Sequence, residues 1–307
     1  MSKLDKIEEL QRLIQQDPED FQIRRELAVL LMDCGFNEEA LQHLLFLSKK
    51  FSYDEGIFYN LGIVYEKMKQ FSKAKEAYEK AIELEPKSFD AIYNLGLVYT
   101  ELKDFGKAIE CFNKIIKNDP NDSNTYFNLG LVYFKQKDYI NAIENFQKTI
   151  DINDEDLYAH FYLGNIFKEL GDSDSAKEKF EKVIELSPNY SWAYYNIAVI
   201  YYEENDLQNA EYFLRKTLEM NPYDIEAYKI LTKLQLKEND FNNAIETIKT
   251  ALSECEETGD LDFLASIVFK KAGDKENSST YFENAIKNHQ TLSIPVAKAR
   301  EEIKRIK

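Results

Sequence analysis

A nine-residue phrase of mostly apolar residues, with one asparagine inside it, recurs along the chain. The copies read IFYNLGIVY from Ile57, AIYNLGLVY from Ala91 and TYFNLGLVY from Thr125, so they are spaced by 34 residues. Apolar side chains on nearly all sides of such a segment, without the alternation of a half-buried strand, predict a buried α-helix.

The same spacing organises most of the chain. An alanine recurs at Ala40, Ala74, Ala108, Ala142, Ala176, Ala210 and Ala244, and prolines keep the register at Pro18, Pro86, Pro120, Pro188 and Pro222. In this register, eight repeats of 34 residues begin at Phe21, Glu55, Phe89, Ser123, Leu157, Ser191, Ile225 and Gly259 and run to Leu292 without insertion or deletion. We number these repeats 1 to 8 and count positions from the first residue of each. A fixed period of this length predicts a stack of similar units.

Each repeat is predicted to form two helices. The first helix carries the quoted phrase and would end at a pair such as Gly171-Asp172, where glycine adopts a left-handed turn and aspartate caps the next helix. The second helix has apolar residues at helical spacing, such as Ala74 and Tyr78, and would stop before a proline such as Pro86.

Small and aromatic residues suggest how the helices pack. Gly62 and Ala74 are predicted at the point where the two helices of one repeat cross, because a larger side chain would separate the backbones. Tyr78 is predicted to fill space against the following repeat. One repeat cannot bury its apolar faces alone, so the stack must supply the core.

The order Leu-Gly, Tyr, Ala, an aromatic residue and Pro resembles the tetratricopeptide repeat (TPR), over residues 21–292. The resemblance implies an all-α fold, a right-handed superhelical α-solenoid of helix-turn-helix repeats. We expect an N-terminal capping helix in residues 1–20, equivalent to half a repeat, and a polar C-terminal capping helix in residues 293–307. Repeats 1, 7 and 8 depart from Leu-Gly, as the terminal units of a finite solenoid do.

Charge limits the partners that the chain would accept. Its 55 acidic and 39 basic residues give a net charge of −16, which disfavours nucleic acid and anionic membranes. Residues 1–11 lack the apolar run of a signal peptide, and the longest uncharged run, 186–202, contains Pro188, so no membrane span is expected. The excess of acid either keeps a long molecule soluble or marks a patch for a basic partner.

The sequence offers little for catalysis. Cys34, Cys111 and Cys255 are far apart and form no C-x-x-C pair, which favours free thiols in a reducing cytoplasm. The three histidines lie more than a hundred residues apart and share no metal-ligand spacing. No nucleophile elbow, zinc-protease motif or phosphate-binding loop occurs. We therefore expect neither an enzyme nor a cofactor or metal site.

The recurring asparagine supplies the candidate site. Positions two, five, six, nine and thirteen fall along one side of the first helix, and the TPR resemblance places that side on the concave surface. The candidate peptide-binding residues are Asn60, Asn94, Asn128 and Asn196 at position six, Tyr162 at the same position, Tyr59, Tyr93, Phe127, Phe161 and Tyr195 at position five, and Trp192 at position two.

An amide side chain both donates and accepts, so such a row could hold a peptide backbone whatever its sequence. Stacked helices lie roughly 8–10 Å apart and an extended peptide advances about 3.3 Å per residue, so neighbouring asparagines would meet about every third residue. The arrangement resembles the asparagine ladder of the repeat domain in O-linked N-acetylglucosamine transferase, in binding mode alone. An asparagine that is merely tolerated on an open face is the alternative.

The other familiar TPR binding mode, a clamp for the acidic tail of a heat-shock chaperone, does not fit. That clamp needs lysine, asparagine, asparagine, lysine and arginine at set positions of successive repeats. This chain offers Arg25 and Asn60 but has Val29, Asp90 and Asn94 at the other places.

The sequence thus predicts a non-enzymatic cytoplasmic scaffold that binds an extended segment of another protein. The alternative is a structural or regulatory subunit that self-associates, or docks in a larger complex, through its ends or convex face. Ile230 and Leu264 replace the asparagine in repeats 7 and 8, where a second copy could pack, so a homo-oligomer stays open.

Overall fold

The computed structural model describes residues 2–256 and 258–306, and these residues form helices joined by short turns, without a β-strand. The helices are α1 Lys3–Gln16, α2 Phe21–Asp33, α3 Asn37–Lys50, α4 Glu55–Lys67, α5 Phe71–Leu84, α6 Phe89–Glu101, α7 Phe105–Asn118, α8 Ser123–Lys135, α9 Tyr139–Ile152, α10 Leu157–Glu169, α11 Ser173–Leu186, α12 Ser191–Glu203, α13 Leu207–Met220, α14 Ile225–Lys237, α15 Phe241–Glu254, α16 Gly259–Lys271, α17 Lys275–Lys287, a 3₁₀ turn His289–Thr291 and α18 Val296–Arg305.

Even-numbered helices from α2 to α16 are the first helices of the repeats, and each begins at the first residue of its repeat. Odd-numbered helices from α3 to α17 are the second helices. The all-α, helix-turn-helix architecture predicted from the sequence is confirmed. No helix among the described residues is long and apolar enough to cross a membrane.

Every first helix ends at position thirteen and is followed by a left-handed residue at position fifteen. These residues, all with positive φ, are Gly35, Lys69, Lys103, Lys137, Gly171, Asn205, Asn239 and Gly273. Lysine takes this conformation in three repeats, although it costs roughly 1–2 kcal/mol for a side chain with a Cβ. The next residue is the N-cap of the second helix; Asp104, for example, donates its N–H to the carbonyl of Tyr99 and accepts from the N–H of Lys107.

The chain divides into two compact bodies. The amino-terminal body extends to Asp154 and contains α1 to α9, and the carboxyl-terminal body starts at Glu155 and contains α10 to α18. Within each body, buried aliphatic and aromatic side chains of one repeat pack against the next, so the core runs through the stack.

The glycine at position eight has a different role from the predicted one. A Cβ added to Gly62 would lie 2.4 Å from Cε1 of Tyr78, and one added to Gly130 would lie 2.8 Å from Cε1 of Phe146. The space left by the glycine is therefore filled by a ring of the same repeat. The predicted packing of Tyr78 against the following repeat is present, since it shares a buried cluster with Ala91 and Ile92, and its ring also fills the space beside Gly62.

Candidate functional site

The candidate residues of the amino-terminal body lie on neighbouring first helices. Positions five and six of α4, α6 and α8 carry Tyr59, Asn60, Tyr93, Asn94, Phe127 and Asn128, and all six are half-buried. Their spacing follows from the equivalence of the repeats, since each first helix starts at the same register. We call positions two, five, six, nine and thirteen of these helices the first-helix face.

Asparagine and tyrosine side chains link successive repeats on this face. Asn94 Nδ2 donates to Tyr59 Oη at 3.4 Å, and Asn128 Nδ2 donates to Tyr93 Oη at 2.7 Å. Each amide therefore reaches the tyrosine of the preceding repeat. Repeat 1 has Arg25 at the tyrosine position, paired with Asp54 at 2.6 Å, so Asn60 lacks the equivalent link.

The linked tyrosines remain hydrogen-bond donors. Burial and then the Asp90 carboxylate raise the pKa of Tyr59, and burial and then Asp122 raise the pKa of Tyr93. A hydroxyl that accepts from an asparagine and stays protonated still offers its O–H. The sequence could not show this pairing, because position five meets position six of the next repeat only after stacking.

The rings at position five rest on buried rings of the second helices. Ring centroids are 6.0 Å apart for Tyr59 and Tyr78, and 5.6 Å apart for Phe127 and Phe146, in tilted arrangements. The supporting rings are fully buried. The aromatic row is thus held in place rather than mobile on the surface, which reduces the entropy that a guest would lose on binding.

The carboxyl-terminal body carries a different version of the face. Asn196 is buried, its Oδ1 accepts from Lys168 Nζ, and its Nδ2 donates to the Trp192 carbonyl at 2.8 Å. Asn128 likewise donates to the carbonyl four residues before it, that of Asn124, at 2.9 Å, so burial and the bond from Lys168 to Oδ1 are what distinguish Asn196. Burial lowers the pKa of Lys168.

Aromatic side chains dominate this second face. Tyr162 and Phe161 meet edge to face with centroids 6.0 Å apart, and Trp192 meets Tyr195 in the same way at 6.1 Å. Trp192 is 55% exposed and Tyr158, which holds position two of the preceding repeat, is 56% exposed. Exposure of two large aromatic side chains on one face distinguishes repeats 5 and 6 from repeats 2 to 4.

The segment after repeat 8 lies on the first-helix face of that repeat. Ser293 donates its N–H to Asp260 Oδ1 at 2.7 Å and its hydroxyl to Asp260 Oδ2. Lys270 Nζ, in the last turn of α16, donates to the carbonyl of Ile303. Asp260 holds position two of repeat 8, as Trp192 does in repeat 6. The chain's own tail therefore contacts the part of the face that corresponds to Trp192.

Apolar contacts complete this tail site. Phe263 and the fully buried Ala299 belong to one apolar cluster, against which Ile294 and Ile303 of the tail pack. A cavity of about 230 Å³ remains beside it, lined by side chains that include Lys233. Sequence reasoning predicted a polar closing helix and missed this contact, although Leu292, Ile294 and Ile303 are apolar enough to indicate it.

The positions considered for a second copy are largely covered. Leu264 is buried and lines the cavity beneath the tail, and Ile230 packs against the core of repeats 6 and 7. Among the described residues, no group of three histidine, cysteine or acidic side chains is close enough to hold a metal ion. Burial raises the pKa of the Cys111 thiol to about 11, which keeps it in the less reactive thiol form at neutral pH.

Solved structures share the fold. MamA of Desulfovibrio magneticus RS-1, from its residue 41 to its end, matches with 27% identity and a TM-score of 0.53, over 56% of this chain and 97% of that one. A tetratricopeptide repeat protein from Parabacteroides merdae ATCC 43184 matches with 16% identity and a TM-score of 0.57, over 81% and 97%.

A third solved structure, YrrB, is described as a TPR protein with an unusual peptide-binding site. It matches with 24% identity and a TM-score of 0.50, over 60% of this chain and 95% of that one. At this identity the likeness concerns the fold alone. No curated protein matches the chain significantly.

Sequence models of the tetratricopeptide repeat match residues 1–57, 57–88, 89–122, 123–156 and 193–224, and a further model described as a TPR repeat matches residues 164–205. Together these matches span more than half of the chain. They support a protein-interaction scaffold, in a family that is typically non-enzymatic. The repeats, the helix pairs and these matches agree, and the chain belongs to the tetratricopeptide repeat family.

Proposed function

We propose that this protein is a cytoplasmic, non-enzymatic scaffold that binds extended segments of a partner protein on its first-helix faces. The observation that carries the proposal is the tail on repeat 8. Its backbone is extended at Leu292, and the N–H of Ser293 is bound by a side chain at position two of a first helix. One first-helix face of this chain thus binds a backbone N–H of the chain's own tail, which supports the binding of a partner's backbone by the other faces.

In the amino-terminal body, Asn60, Asn94 and Asn128 would contact the guest backbone about every third residue, given helices roughly 8–10 Å apart and about 3.3 Å per guest residue. The hydroxyls of Tyr59 and Tyr93 would add donors beside the amides. The fixed rings at position five would bury apolar side chains of the guest, as aromatic anchors commonly do at interfaces.

In the carboxyl-terminal body, the anchors would be Phe161, Tyr162, Trp192 and Tyr195. The Asn196 amide donates to the backbone carbonyl of Trp192. This division narrows the asparagine ladder to repeats 2 to 4. The likeness to YrrB, a protein described as having a peptide-binding site, agrees with this use of the fold.

The test is a capture of partners from native lysate with the wild type and with the Asn60→Ala, Asn94→Ala, Asn128→Ala variant. A matched control replaces Asn113, Asn118 and Asn242, which are exposed on second helices, by alanine. We expect both variants to give the wild-type circular dichroism, and only the first to lose the partner. Equal retention by all three proteins would refute the ladder.

A further inference from the structure

Tyr158 and Trp192 are the large aromatic side chains that stand most exposed on the first-helix faces. Both hold position two, in successive repeats of one body, and both are more than half exposed. Repeats 2, 3 and 4 have Gly56, Asp90 and Asn124 at this position. Two such side chains left in water on one rim indicate a binding surface rather than a core.

The surface is built on a fixed aromatic base. Trp192 contacts the ring of Tyr195. Tyr190, which precedes α12, packs edge to face on Phe161 with centroids 5.4 Å apart. Burial and then the nearby side chain of Tyr158 raise the pKa of Tyr190. Trp192 therefore rests against a ring of its own helix, and Tyr158 lies near Tyr190, which is itself packed on Phe161.

The charge around these rings is negative. Asp156 caps α10 beside Tyr158, and Asp224 caps α14 next to the helix that carries Trp192. Each carboxylate accepts a backbone N–H of its own helix, Asp156 from Ala159 at 2.8 Å and Asp224 from Ala227 at 3.0 Å. Burial, followed by the carboxylates of Glu226 and Asp224, raises the pKa of Tyr195.

The two nearby lysines have different partners. Lys229 is paired with Glu226 at 2.8 Å and with Asp260 at 3.3 Å. Lys168 donates to the neutral amide of Asn196 and lies near the carboxylates of Glu169 and Glu203. Repeats 5 and 6 contain twice as many acidic as basic residues. An incoming cation would thus meet exposed aromatic faces and two capping carboxylates, in repeats where acidic side chains outnumber basic ones.

We propose that Tyr158 and Trp192, together with Asp156 and Asp224, form a binding surface for an arginine or lysine side chain of the guest segment. The proposal rests on the proposed function and names the side chain that the guest brings to the carboxyl-terminal body. A guanidinium or ammonium group within about 6 Å of a ring centroid is attracted by the ring face. The two carboxylates add attraction that a neutral apolar side chain would not feel.

The chain has a single tryptophan, so its fluorescence reports on this surface alone. We would titrate the full chain with a short peptide of alternating arginine and serine. The comparison peptides replace arginine by citrulline, which has the same shape without the charge, or by glutamate. We expect the arginine peptide to shift the emission and to bind at least about tenfold tighter than the citrulline peptide. Added salt should weaken only the arginine peptide.

Matched variants separate charge from folding. Asparagine caps helices as well as aspartate does, so the Asp156→Asn, Asp224→Asn variant keeps both caps and removes both charges. It should weaken the arginine peptide about three- to tenfold and leave the citrulline peptide unchanged. Tyr158→Ala should also weaken the arginine peptide. Tyr53→Ala, at an 88% exposed tyrosine in the other body, should have no effect.

Equal affinity for arginine and citrulline peptides would overturn the proposal in favour of neutral stacking. So would the absence of any response in both fluorescence and calorimetry. The Asn60, Asn94, Asn128 variant should bind the arginine peptide normally, so the two proposals fail separately. Partner capture that survives the asparagine changes would refute only the asparagine ladder. An arginine peptide that changes neither the Trp192 fluorescence nor the calorimetric signal would refute only this surface.

Discussion

Repeats 2 to 5 and repeats 1, 6 and 7 fill the same helix crossing in two ways. The first group places glycine at position eight under an aromatic ring at position twenty-four, as Gly62 under Tyr78. The second group pairs a larger residue with an aliphatic one: Ala28 with Leu44, Ala198 with Leu214 and Thr232 with Ile248. The two positions compensate in size, which indicates that the crossing is packed to a nearly constant volume.

Repeat 8 shows what happens when compensation fails. It combines Ser266 with Phe282, and the phenylalanine is only half-buried. Its ring instead meets Phe263, with centroids 6.3 Å apart, in the apolar cluster that includes the tail. In repeat 8, Ser266 is larger than glycine, and the Phe282 ring lies outside the helix crossing.

The comparison is tested most strongly by Gly62→Ala. The new methyl group would overlap the Tyr78 ring, which is fully buried and whose hydroxyl donates to Glu66 Oε2 at 3.0 Å. The ring is therefore held at both ends. We expect a loss of about 2 kcal/mol in the free energy of unfolding, because overpacking outweighs the higher helix propensity of alanine. Denaturant unfolding measures it.

Two further variants decide the reason for that loss. Gly106→Ala, at a helical glycine with no neighbour within 4 Å of the added Cβ, should stabilise the protein by about 0.5–1 kcal/mol. Tyr78→Leu combined with Gly62→Ala reproduces the pairing of repeats 1 and 6, so it should cost less than the sum of the single changes. Strict additivity would contradict size compensation.

Much of this fold follows from the sequence, because its signals are local. The period places each helix, the prolines and the Gly-Asp and Asn-Asp pairs mark its ends, and the structure confirms these elements. The contact between Gly62 and Tyr78 was not predicted. The sizes of positions eight and twenty-four vary together, but this is visible only when the two positions are compared repeat by repeat. Left-handed Lys69, Lys103 and Lys137 also carry no local signal, since lysine is compatible with many conformations.

The candidate site was less accessible to sequence reasoning. The repeat register places Asn94 and Asn128 at the same position of successive first helices, but their bonds to Tyr59 and Tyr93 appear only in the stack. Asn196 occupies the same position and is buried. It differs because its Oδ1 accepts a hydrogen bond from Lys168, at position twelve of the preceding repeat. Among the described residues, no other position-six asparagine accepts such a bond from a lysine.

Repeat 7 gives the second test of the comparison, because its crossing is polar. Gln235 takes position eleven, where most repeats have an aromatic ring. It is fully buried, and its amide has no hydrogen-bond partner among the described residues. Gln235→Leu should raise the free energy of unfolding by about 1–2 kcal/mol, because it removes an unsatisfied buried polar group.

A control for this change is Gln208→Leu, at an exposed glutamine of the preceding repeat. It should alter stability by less than about 0.5 kcal/mol. Destabilisation by Gln235→Leu would instead show that the amide has a hydrogen-bond partner in solution. The buried glutamine would then stabilise repeat 7.

The smallest effect concerns the tail that completes repeat 8. Hydrogen bonds from Ser293 and the Lys229 ammonium outweigh burial and lower the pKa of Asp260 below 3.8. A lowered pKa means that the carboxylate's stabilisation is present above 3.8 and is lost as the pH falls through the folded-state value. Asp260→Asn should therefore weaken tail docking by about 1 kcal/mol at neutral pH, measured by hydrogen exchange of α18.

The difference between wild type and Asp260→Asn should shrink as the pH falls below 3.8. Burial lowers the pKa of Lys229, but its bonds to Glu226 and Asp260 outweigh burial and raise the pKa overall, so Lys229 stays charged in this range. Glu226 is present in both proteins, so its contribution cancels to first order when they are compared at each pH. A difference that persists at low pH would mean that the variant disturbs packing around Phe263 rather than the charge. The tail would then be held by apolar contacts, as the rings hold the crossings of repeats 2 to 5, and not by the carboxylate at position two.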